Sequence, residues 1–265
     1  MTDTSFADKT AIITGGGSGI GAATAHELAR QGASVVIADI SLDSAKTTAE
    51  SITAEGGKAS AFQMDVSISS QSADAVDFAV NTYGGLHYAV NNVAIGNSGT
   101  PIGEFDLDDW RHQMAVCLDG VLYGLRYEIP AILNAGGGAI VNISSIAGIW
   151  GTYTNAAYVT AKHAIIGLTK AAALEYANQG IRVNAVGPGY VETPLVVQNI
   201  PAERRAQLGK RHPIGRMGQP QELANLITFL LSDKASFMTG GMYVADGGFT
   251  AGYKGSNTSV ADASE

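Results

Sequence analysis

The sequence offers little that would point to a secreted or membrane-spanning protein. Cys117 is its single cysteine, so no disulfide can form within the chain. The opening ten residues lack the basic stretch and the apolar core of a secretory signal. No apolar run approaches the roughly 18 residues that a membrane-spanning helix needs. Together these absences favour a protein of the cytoplasm that does not bind membranes.

Positive charge is also scarce. The chain has 16 Lys and Arg against 24 Asp and Glu, which gives a net charge of −8. Its two short groups of basic residues, at 203–205 and 210–212, are best interpreted as solvated helix charge. Because nucleic acids and anionic lipids are held mainly by clustered Lys and Arg, we expect neither as a partner.

Apolar residues are plentiful, 46% of the 265, and they occur in short runs separated by helical patterns. This alternation predicts an α/β protein with a doubly wound parallel sheet, the Rossmann fold, which a chain of this length can form as a single domain. The predicted domain is 1–253, and the small polar residues of 254–265 predict a disordered tail. The runs predicted as strands are Lys9–Thr14, Ser34–Ala38, Ala59–Met64, Leu86–Val90, Ala139–Ile143, Arg182–Val186 and Met242–Ala245.

Three polar residues near the middle of the chain have the spacing of an acid–base site. Tyr158 begins a predicted helix at 157–177, and Lys162 follows one turn later on the same face. A neighbouring ammonium favours the phenolate, so Tyr158 can exchange a proton with an alcohol or carbonyl oxygen to which Ser145 also forms a hydrogen bond. The pattern predicts carbonyl–alcohol interconversion. A Tyr and a Lys four residues apart also occur as an ordinary surface pair, which is the alternative.

A glycine-rich segment lies between the first predicted strand and a helical pattern. Residues 15–21 read GGGSGIG, and this strand–loop–helix order is the one that a dinucleotide fingerprint requires. Small residues let the backbone approach a pyrophosphate, and the helix N-terminus favours its negative charge. The alternative is a glycine turn that binds nothing. The residues expected to hold a cofactor here are Gly15, Ser18, Gly19, Ile20 and Gly21.

Asp39 ends the second predicted strand, about 20 residues after Gly19. A carboxylate at this position accepts hydrogen bonds from the adenosine ribose hydroxyls and repels the additional phosphate of NADP. Neither the glycine loop nor the residues beside Asp39 include Lys or Arg. We therefore predict NAD as the cofactor, with a turn or helix-capping Asp as the alternative interpretation.

With these motifs in place, the chain resembles the short-chain dehydrogenase/reductase family over about residues 9–248. The resemblance implies that Ser145, Tyr158 and Lys162 are the catalytic residues and that Lys162 also holds the nicotinamide ribose. It implies no metal. Further cofactor contacts implied by the family pattern are Asp65, Val66, Asn92, Pro188, Gly189, Val191 and Thr193.

The chain departs from the family pattern at two places. Cys117 stands where the family usually has an Asn that stabilises a helix bend, whose carbonyl holds a water in the proton relay to the catalytic Lys. We expect a modest loss of activity from this change rather than inactivity. Val93 and Ala94 replace the usual Ala-Gly beside the cofactor, and the added bulk is expected to alter the shape of the substrate pocket.

Residues 195–217, here called the lid segment, lie where the family has its mobile lid. Its mixed composition and the nearby aromatic residues predict a small uncharged alcohol or ketone as the substrate. Gly136 and Gln179 stand where reductases of this family that act on carrier proteins usually have basic residues, which disfavours a carrier-bound substrate. The residues predicted to line the substrate pocket are Ser145, Trp150, Tyr153, Tyr190 and Leu195.

The resemblance brings two other functions into consideration and implies an oligomeric state. Relatives that lose the Tyr or the Lys become non-catalytic NAD-binding sensors, which is the alternative function. A sugar epimerase on a related fold needs a larger C-terminal domain than the roughly 70 residues that follow the predicted nicotinamide loop. The resemblance also implies a homotetramer built through the long helices that carry Cys117 and Tyr158.

Overall fold

A computed structural model describes residues 5–96 and 99–252, so the predicted tail at 254–265 lies outside the described residues. The strands form from short apolar runs rich in β-branched residues. The strands are β1 Thr10–Thr14, β2 Ser34–Asp39, β3 Lys58–Gln63, β4 Tyr88–Asn91, β5 Gly138–Ile143, β6 Ile181–Pro188 and β7 Met242–Ala245. The α-helices are α1 Gly19–Arg30, α2 Leu42–Ala54, α3 Ser69–Tyr83, α4 Leu107–Met114, α5 Gly120–Asn134, α6 Ala156–Tyr176, α7 Pro194–Asn199, α8 Ala202–Lys210 and α9 Pro220–Leu231.

The strands form one parallel sheet in the order β3-β2-β1-β4-β5-β6-β7. The chain winds outward from β1 to β3, returns to the centre at β4 and winds outward again on the other side. Apolar side chains of α1, α2 and α9 pack on one face of the sheet, and those of α3, α5 and α6 pack on the other. The predicted doubly wound sheet in a single domain is therefore confirmed.

β6 is longer than predicted, because it continues beyond Val186 to Pro188. Gly187 and Pro188 read as turn residues in the sequence, but they pair in register with Val244 and Ala245 of β7. The extension brings the end of β6 level with the end of β7. None of the helices in the described ranges is both long enough and apolar enough to cross a membrane.

Buried polar side chains connect β4 and β5 to the helices behind them. The Asn91 side-chain amide donates to Glu128 in α5 and to Asn142 in β5, at 3.0 Å each. Asn142 in turn donates to Thr169 in α6 at 3.0 Å. Among the described residues the Asn91 side-chain oxygen has no hydrogen-bond partner. Because Asn142 lies three residues before Ser145, this network fixes the strand end that presents the Ser145 hydroxyl.

Glu128→Gln is expected to make protein stability less dependent on pH. Burial raises the pKa of Glu128 to about 7 from its ordinary value of 4.5, although the Asn91 hydrogen bond acts in the opposite direction. The folded state therefore holds the proton more tightly than the unfolded state does. As a result, the free energy of unfolding falls as pH rises from about 4.5 to about 7 and is level above that. At 1.36 kcal/mol per pKa unit the loss is about 3 kcal/mol.

The substituted Gln keeps an oxygen for the Asn91 amide and adds an N–H for the Asn91 side-chain oxygen. We therefore expect Glu128→Gln to be the more stable protein at about pH 8 and nearly equal to the wild type at about pH 5. Denaturant unfolding of both proteins at the two pH values measures the difference. Glu50→Gln, at an exposed position of α2, is the matched control. A difference that is the same at both pH values would show that Glu128 does not titrate in this range.

Candidate active site

The carboxyl ends of the parallel strands border a cavity of about 520 Å³, a size typical of ligand pockets. Its wall is formed by the glycine loop and by the segments that follow β2, β3, β4, β5 and β6. Apart from Gly21, the wall contains every residue predicted for catalysis or cofactor binding: Gly15, Ser18, Gly19, Ile20, Asp39, Asp65, Val66, Asn92, Ser145, Tyr158, Lys162, Pro188, Gly189, Val191 and Thr193.

The glycine loop brings the N-terminus of α1 to the cavity. Gly21 lies behind the wall, where a Cβ atom would overlap the carbonyl oxygen of Gly15. Gly19 has φ of +55°, and a Cβ there would come within 3.2 Å of Thr193 across the cavity. With no side chains at these glycines, the loop backbone is accessible to a ligand and the loop packs closely against α1. The arrangement suits the pyrophosphate of a dinucleotide.

Asp39 holds its carboxylate at the rim of the cavity with two backbone hydrogen bonds. One oxygen accepts from the Gly17 N–H and the other from the Ser41 N–H, each at 3.0 Å. Each oxygen keeps a further lone pair for a ligand hydroxyl. Ile40 beside it is 67% exposed and also lines the cavity. Among the described residues of the wall, Lys162 is the only Lys or Arg.

Asn92 and Asp65 shape the backbone of the cavity wall. The Asn92 side-chain amide donates to the carbonyl oxygens of Thr14 and Gly15, at 3.2 and 3.3 Å. The Asp65 carboxylate accepts from the backbone N–H and the hydroxyl of Ser67, at 2.9 and 2.7 Å. Asn92 therefore holds the glycine loop against the end of β4, and Asp65 fixes the turn after β3.

Ser145, Tyr158 and Lys162 meet at the buried floor of the cavity. The Ser145 hydroxyl forms a hydrogen bond with the Tyr158 phenol and accepts the N–H of Ala147 at 3.0 Å. The Lys162 ammonium donates to the carbonyl oxygen of Ile143 at 2.8 Å and lies 5.5 Å from the centre of the Tyr158 ring. The structure thus brings the predicted catalytic residues together.

The ionisation of this group differs from the sequence-based expectation. Burial raises the pKa of Tyr158 to about 12, and the Ser145 hydrogen bond only partly opposes it. Burial also lowers the pKa of Lys162 to about 8, an effect that the nearby Cys117 partly opposes. We expected a phenol tuned towards neutrality, but desolvation disfavours the phenolate. The protein's own residues therefore leave Tyr158 protonated, and a further positive charge beside the ring is needed to ionise it.

The loop after β6 carries the residues predicted to hold the nicotinamide. Gly218 pairs with it through two backbone hydrogen bonds of 2.9 Å, to the Tyr190 carbonyl and from the Glu192 N–H. The Thr193 hydroxyl accepts from the Val196 N–H at 3.4 Å and so caps α7. A hydroxyl that accepts in this way still has its proton to donate, so Thr193 can cap the helix and contact a ligand at once.

The structure does not bring all of the predicted substrate-pocket residues together. Tyr190 lies in the cavity wall with Ser145, but Trp150 and Tyr153 are 51% and 89% exposed and lie outside it. Both belong to the turn before α6, which leaves their side chains in solvent. Neither residue lines this cavity, and their assignment to the substrate pocket stays a prediction. The side chain of Leu195 is not among those described.

Sequence analysis assigned no site role to several residues of the wall, among them Ile95, His112 and Val116. His112 and Val116 are spaced by four, which was the available signal for a shared face. Gly120, a further four residues on, packs so closely on Val66 that a Cβ would lie 3.0 Å from its side chain. This face of the helix therefore runs towards Val66, at the end of the cavity where the adenine is predicted to bind.

Cys117 lies in a π-helical segment, Ala115–Asp119, between α4 and α5. Its sulfur accepts the Ile95 N–H at 3.4 Å and lies 3.8 Å from the Ile95 carbonyl oxygen, to which the thiol donates. The thiol therefore makes both of the contacts, donor and acceptor, that an Asn side chain can make. It joins the helix to the segment after β4.

Cys117→Asn is expected to change kcat/KM by less than about tenfold, because a sulfur hydrogen bond is weak and the amide can replace both of its contacts. Cys117→Ala removes both contacts and is expected to cost more than Cys117→Asn does. Steady-state kinetics of the two variants tests this order, with NADH affinity as the control for an intact cofactor site. A change of several orders of magnitude in Cys117→Asn would contradict the expectation.

Within residues 5–96 and 99–252, no three His, Cys, Asp or Glu side chains come close enough to hold a metal ion. The groups that the cavity offers a ligand include hydroxyls, amide and carboxylate side chains, the His112 imidazole, one buried ammonium and the backbone of the glycine loop.

The sequence is similar to that of known dehydrogenases over nearly its whole length. It is 50% identical over 246 residues to cyclohexanol dehydrogenase of Acinetobacter sp. (strain SE19), covering 93% of this chain and 96% of that protein. It is 42% identical over 246 residues to cis-4-hydroxycyclohexanecarboxylate dehydrogenase of Sinomonas cyclohexanicum, covering 93% and 98%. The fold matches the crystal structure of levodione reductase with a TM-score of 0.89 and 32% identity, covering 94% of this chain and all of that one.

The family model described as "Enoyl-(Acyl carrier protein) reductase" (adh_short_C2) matches residues 15–250. That span begins at the glycine loop, includes Ser145, Tyr158 and Lys162, and ends after β7. The chain therefore belongs to the short-chain dehydrogenase/reductase family and is an enzyme of its alcohol dehydrogenase type.

Proposed function

We propose that this enzyme oxidises a secondary alcohol on a small uncharged ring to the ketone, and runs the reverse reduction, with NAD as the cofactor. The observation that carries the proposal is the hydrogen-bonded Ser145–Tyr158 pair beside the buried Lys162 ammonium, in the same cavity as the bare glycine loop and Asp39. The non-catalytic sensor is not favoured, because relatives of that kind have lost the Tyr or the Lys.

In this proposal each of the three catalytic residues has a separate role in substrate binding or proton transfer. Ser145 and Tyr158 both bind the substrate oxygen, and Tyr158 takes the hydroxyl proton during oxidation or returns it during reduction. Lys162 holds the nicotinamide ribose and favours the phenolate through its charge. The cofactor, when bound, supplies the hydride acceptor at C4 of the nicotinamide ring and, in its oxidised form, a positive charge that acts against the raised pKa of Tyr158.

The residues of the cavity fit a dinucleotide. The bare backbone at Gly19 and the N-terminus of α1 would hold the pyrophosphate. Asp39 would bind the adenosine ribose, and Thr193, with the Val191 backbone, would hold the carboxamide. With a carboxylate at the ribose position and no Arg or Lys beside it, the wall favours NAD over NADP.

The substrate class is supported by the relatives and by the apolar residues of the wall. Cyclohexanol dehydrogenase, with which this chain shares half of its residues, is named for an uncharged ring alcohol. Arg216, the lid residue that could grip a carboxylate, forms a two-pronged pair with Glu222 at 2.7 and 2.8 Å and lies outside the wall. An uncharged ring therefore fits this cavity better than a hydroxycyclohexanecarboxylate does.

The test measures formation of reduced cofactor by purified enzyme given NAD or NADP with cyclohexanol, cyclohexane-1,4-diol, an acyclic secondary alcohol and 4-hydroxycyclohexanecarboxylate. We expect turnover with NAD, fastest on the uncharged rings, and the reverse reaction on cyclohexanone. Tight NADH binding without turnover of any alcohol or ketone would overturn the proposal and favour the non-catalytic NAD-binding sensor instead.

We further propose a cytoplasmic homotetramer. The family resemblance suggests it, and Leu174 of α6, which is 85% exposed in the single chain, is an apolar side chain that a partner subunit would cover. Size-exclusion chromatography with light scattering is expected to give four times the mass of one chain. A monomeric mass would exclude the tetramer, and recovery of the protein in the membrane fraction of its cells would exclude the location.

A further inference from the structure

His212 bridges the lid segment and the loop that precedes it. It lies two residues after the end of α8 and is only 2% exposed. Its Nε2 accepts the backbone N–H of Tyr190 at 3.2 Å, and its Nδ1 lies 3.0 Å from the carbonyl oxygen of Leu208 in α8. Tyr190 comes just before the lid segment in the chain. The His212 imidazole therefore links the C-terminal part of the lid segment to Tyr190 in the cavity wall.

These two partners fix the protonation of the ring. A backbone N–H can only donate and a carbonyl oxygen can only accept, so Nε2 must be bare and Nδ1 must carry the proton. Both ring nitrogens are thereby engaged within the protein. No ring nitrogen of His212 is left for a substrate, so its part in the reaction is one of position.

Aromatic rings and a close glycine pack around the His212 ring and fix its position. Its ring centre lies 5.7 Å from that of Tyr190 and 5.4 Å from that of Phe249, which follows β7. The Arg211 guanidinium lies over both of those rings, at 5.7 and 5.1 Å. Gly189 is tight against it, because a Cβ there would come 2.9 Å from Nε2. The ring is thus held where the loop after β6, the lid segment and the turn after β7 meet.

We propose that His212 is a positioning residue that fastens the lid segment to Tyr190 and so sets the substrate end of the cavity. Tyr190 lies in the cavity wall between Gly189 and Val191, which also line it. Any displacement of the Tyr190 backbone therefore changes the space available to the alcohol. The glycine loop and Asp39 lie on other elements, so the adenosine half of the cofactor site is unaffected. The kinetic part of this inference rests on the proposed function.

Three substitutions separate the two hydrogen bonds. His212→Gln can keep the acceptor for Tyr190, because the Gln amide oxygen reaches as far as Nε2. His212→Asn can keep the donor to Leu208, because the Asn amide nitrogen corresponds to Nδ1. His212→Leu keeps an apolar volume and neither hydrogen bond. The matched control is His26→Leu in α1, where the imidazole forms a hydrogen bond of 3.4 Å with the exposed Glu55.

The experiment measures four quantities for each variant: KM for cyclohexanol, NADH affinity by fluorescence, the melting temperature, and hydrogen exchange of the amides of α8. We expect His212→Leu and His212→Asn to raise the alcohol KM about tenfold, because both variants lose the buried hydrogen bond from the Tyr190 N–H. His212→Gln should stay within about threefold of the wild type. NADH affinity should change less than the alcohol KM does, because the glycine loop and Asp39, which would hold the adenosine half of the cofactor, lie on other elements. In His212→Leu the α8 amides should exchange faster than in the wild type, and His26→Leu should match the wild type throughout.

Two results would overturn the inference. One is a His212→Leu enzyme with an unchanged alcohol KM and unchanged exchange in α8. The other is a set of variants whose losses follow only their melting temperatures, with His212→Gln no better than His212→Leu, which would make the role merely structural. If the wild-type enzyme itself turns over no alcohol, the proposed function fails, and exchange in α8 still decides whether His212 fastens the lid segment.

Discussion

Tyr158→Phe is expected to lower kcat by about three orders of magnitude, the usual range for loss of a positioned acid–base group. The substitution removes only the phenolic oxygen. The ring that lies 5.5 Å from the Lys162 ammonium remains, so the floor of the cavity keeps its shape. What disappears is the atom that forms the hydrogen bond with Ser145 and exchanges the substrate proton. We therefore expect NADH binding, measured by fluorescence titration, to stay nearly at its wild-type value.

The control for this variant is Tyr83→Phe. Tyr83 lies in α3, and its hydroxyl forms a hydrogen bond of 2.7 Å with Ser60 of β3, away from the cavity. Both substitutions thus remove one phenol–serine hydrogen bond, but only Tyr158 faces the cavity. Tyr83→Phe should retain wild-type kcat with either cofactor form. A Tyr158→Phe enzyme that kept even a tenth of wild-type turnover would remove Tyr158 from the acid–base role.

The pH profile of the wild type gives a second measure of the same group. Oxidation requires the phenolate to accept a proton, and reduction requires the phenol to donate one. Since burial raises the pKa of Tyr158 to about 12, oxidation should increase with pH over the whole neutral range, while reduction should decrease at high pH. Tyr158→Phe should lose this dependence together with its rate.

The strands and the motif residues were predictable because each depends on local sequence. Short β-branched runs gave strand positions to within one or two residues for most of the sheet. Residues that end parallel strands meet at one edge, so Asp39 and Ser145 could be placed at a common site from their positions alone. The same rule explains why nearly all of the predicted cofactor residues line one cavity.

What the sequence could not supply depends on irregular backbone and on burial. The π-helical segment Ala115–Asp119, which carries Val116 of the wall, is a backbone irregularity that no sequence pattern predicted. The turn before α6 has no periodic pattern, so the exposure of Tyr153 could not be foreseen. The direction of the Tyr158 pKa depends on desolvation, which no spacing between Tyr and Lys reveals.

Asp39→Ser combined with Ile40→Arg is expected to reverse the cofactor preference, changing the ratio of kcat/KM for NAD over NADP by about a thousandfold. Two effects add. The first is removal of the carboxylate that repels the additional phosphate, and the second is a charge-assisted hydrogen bond from Arg, worth about 1.5–3 kcal/mol. Ile40 is suited to this change because it is exposed at the rim of the cavity beside Asp39.

The Asp39→Asn variant shows how much of the cofactor preference comes from the negative charge of Asp39, because Asn has nearly the same size and shape as Asp. It keeps an oxygen for one of the two backbone N–H groups, that of Gly17 or that of Ser41, and removes the negative charge. We expect it to lower the NAD preference by about tenfold without creating tight NADP binding, because no cation replaces the lost charge. Kinetics with both cofactors on one ring alcohol measures all three proteins. A wild type that uses NADP as well as NAD would contradict the role of Asp39 at once. A double variant that still prefers NAD would show that other residues of the wall determine the selectivity, because the preference for NAD would persist without the Asp39 carboxylate.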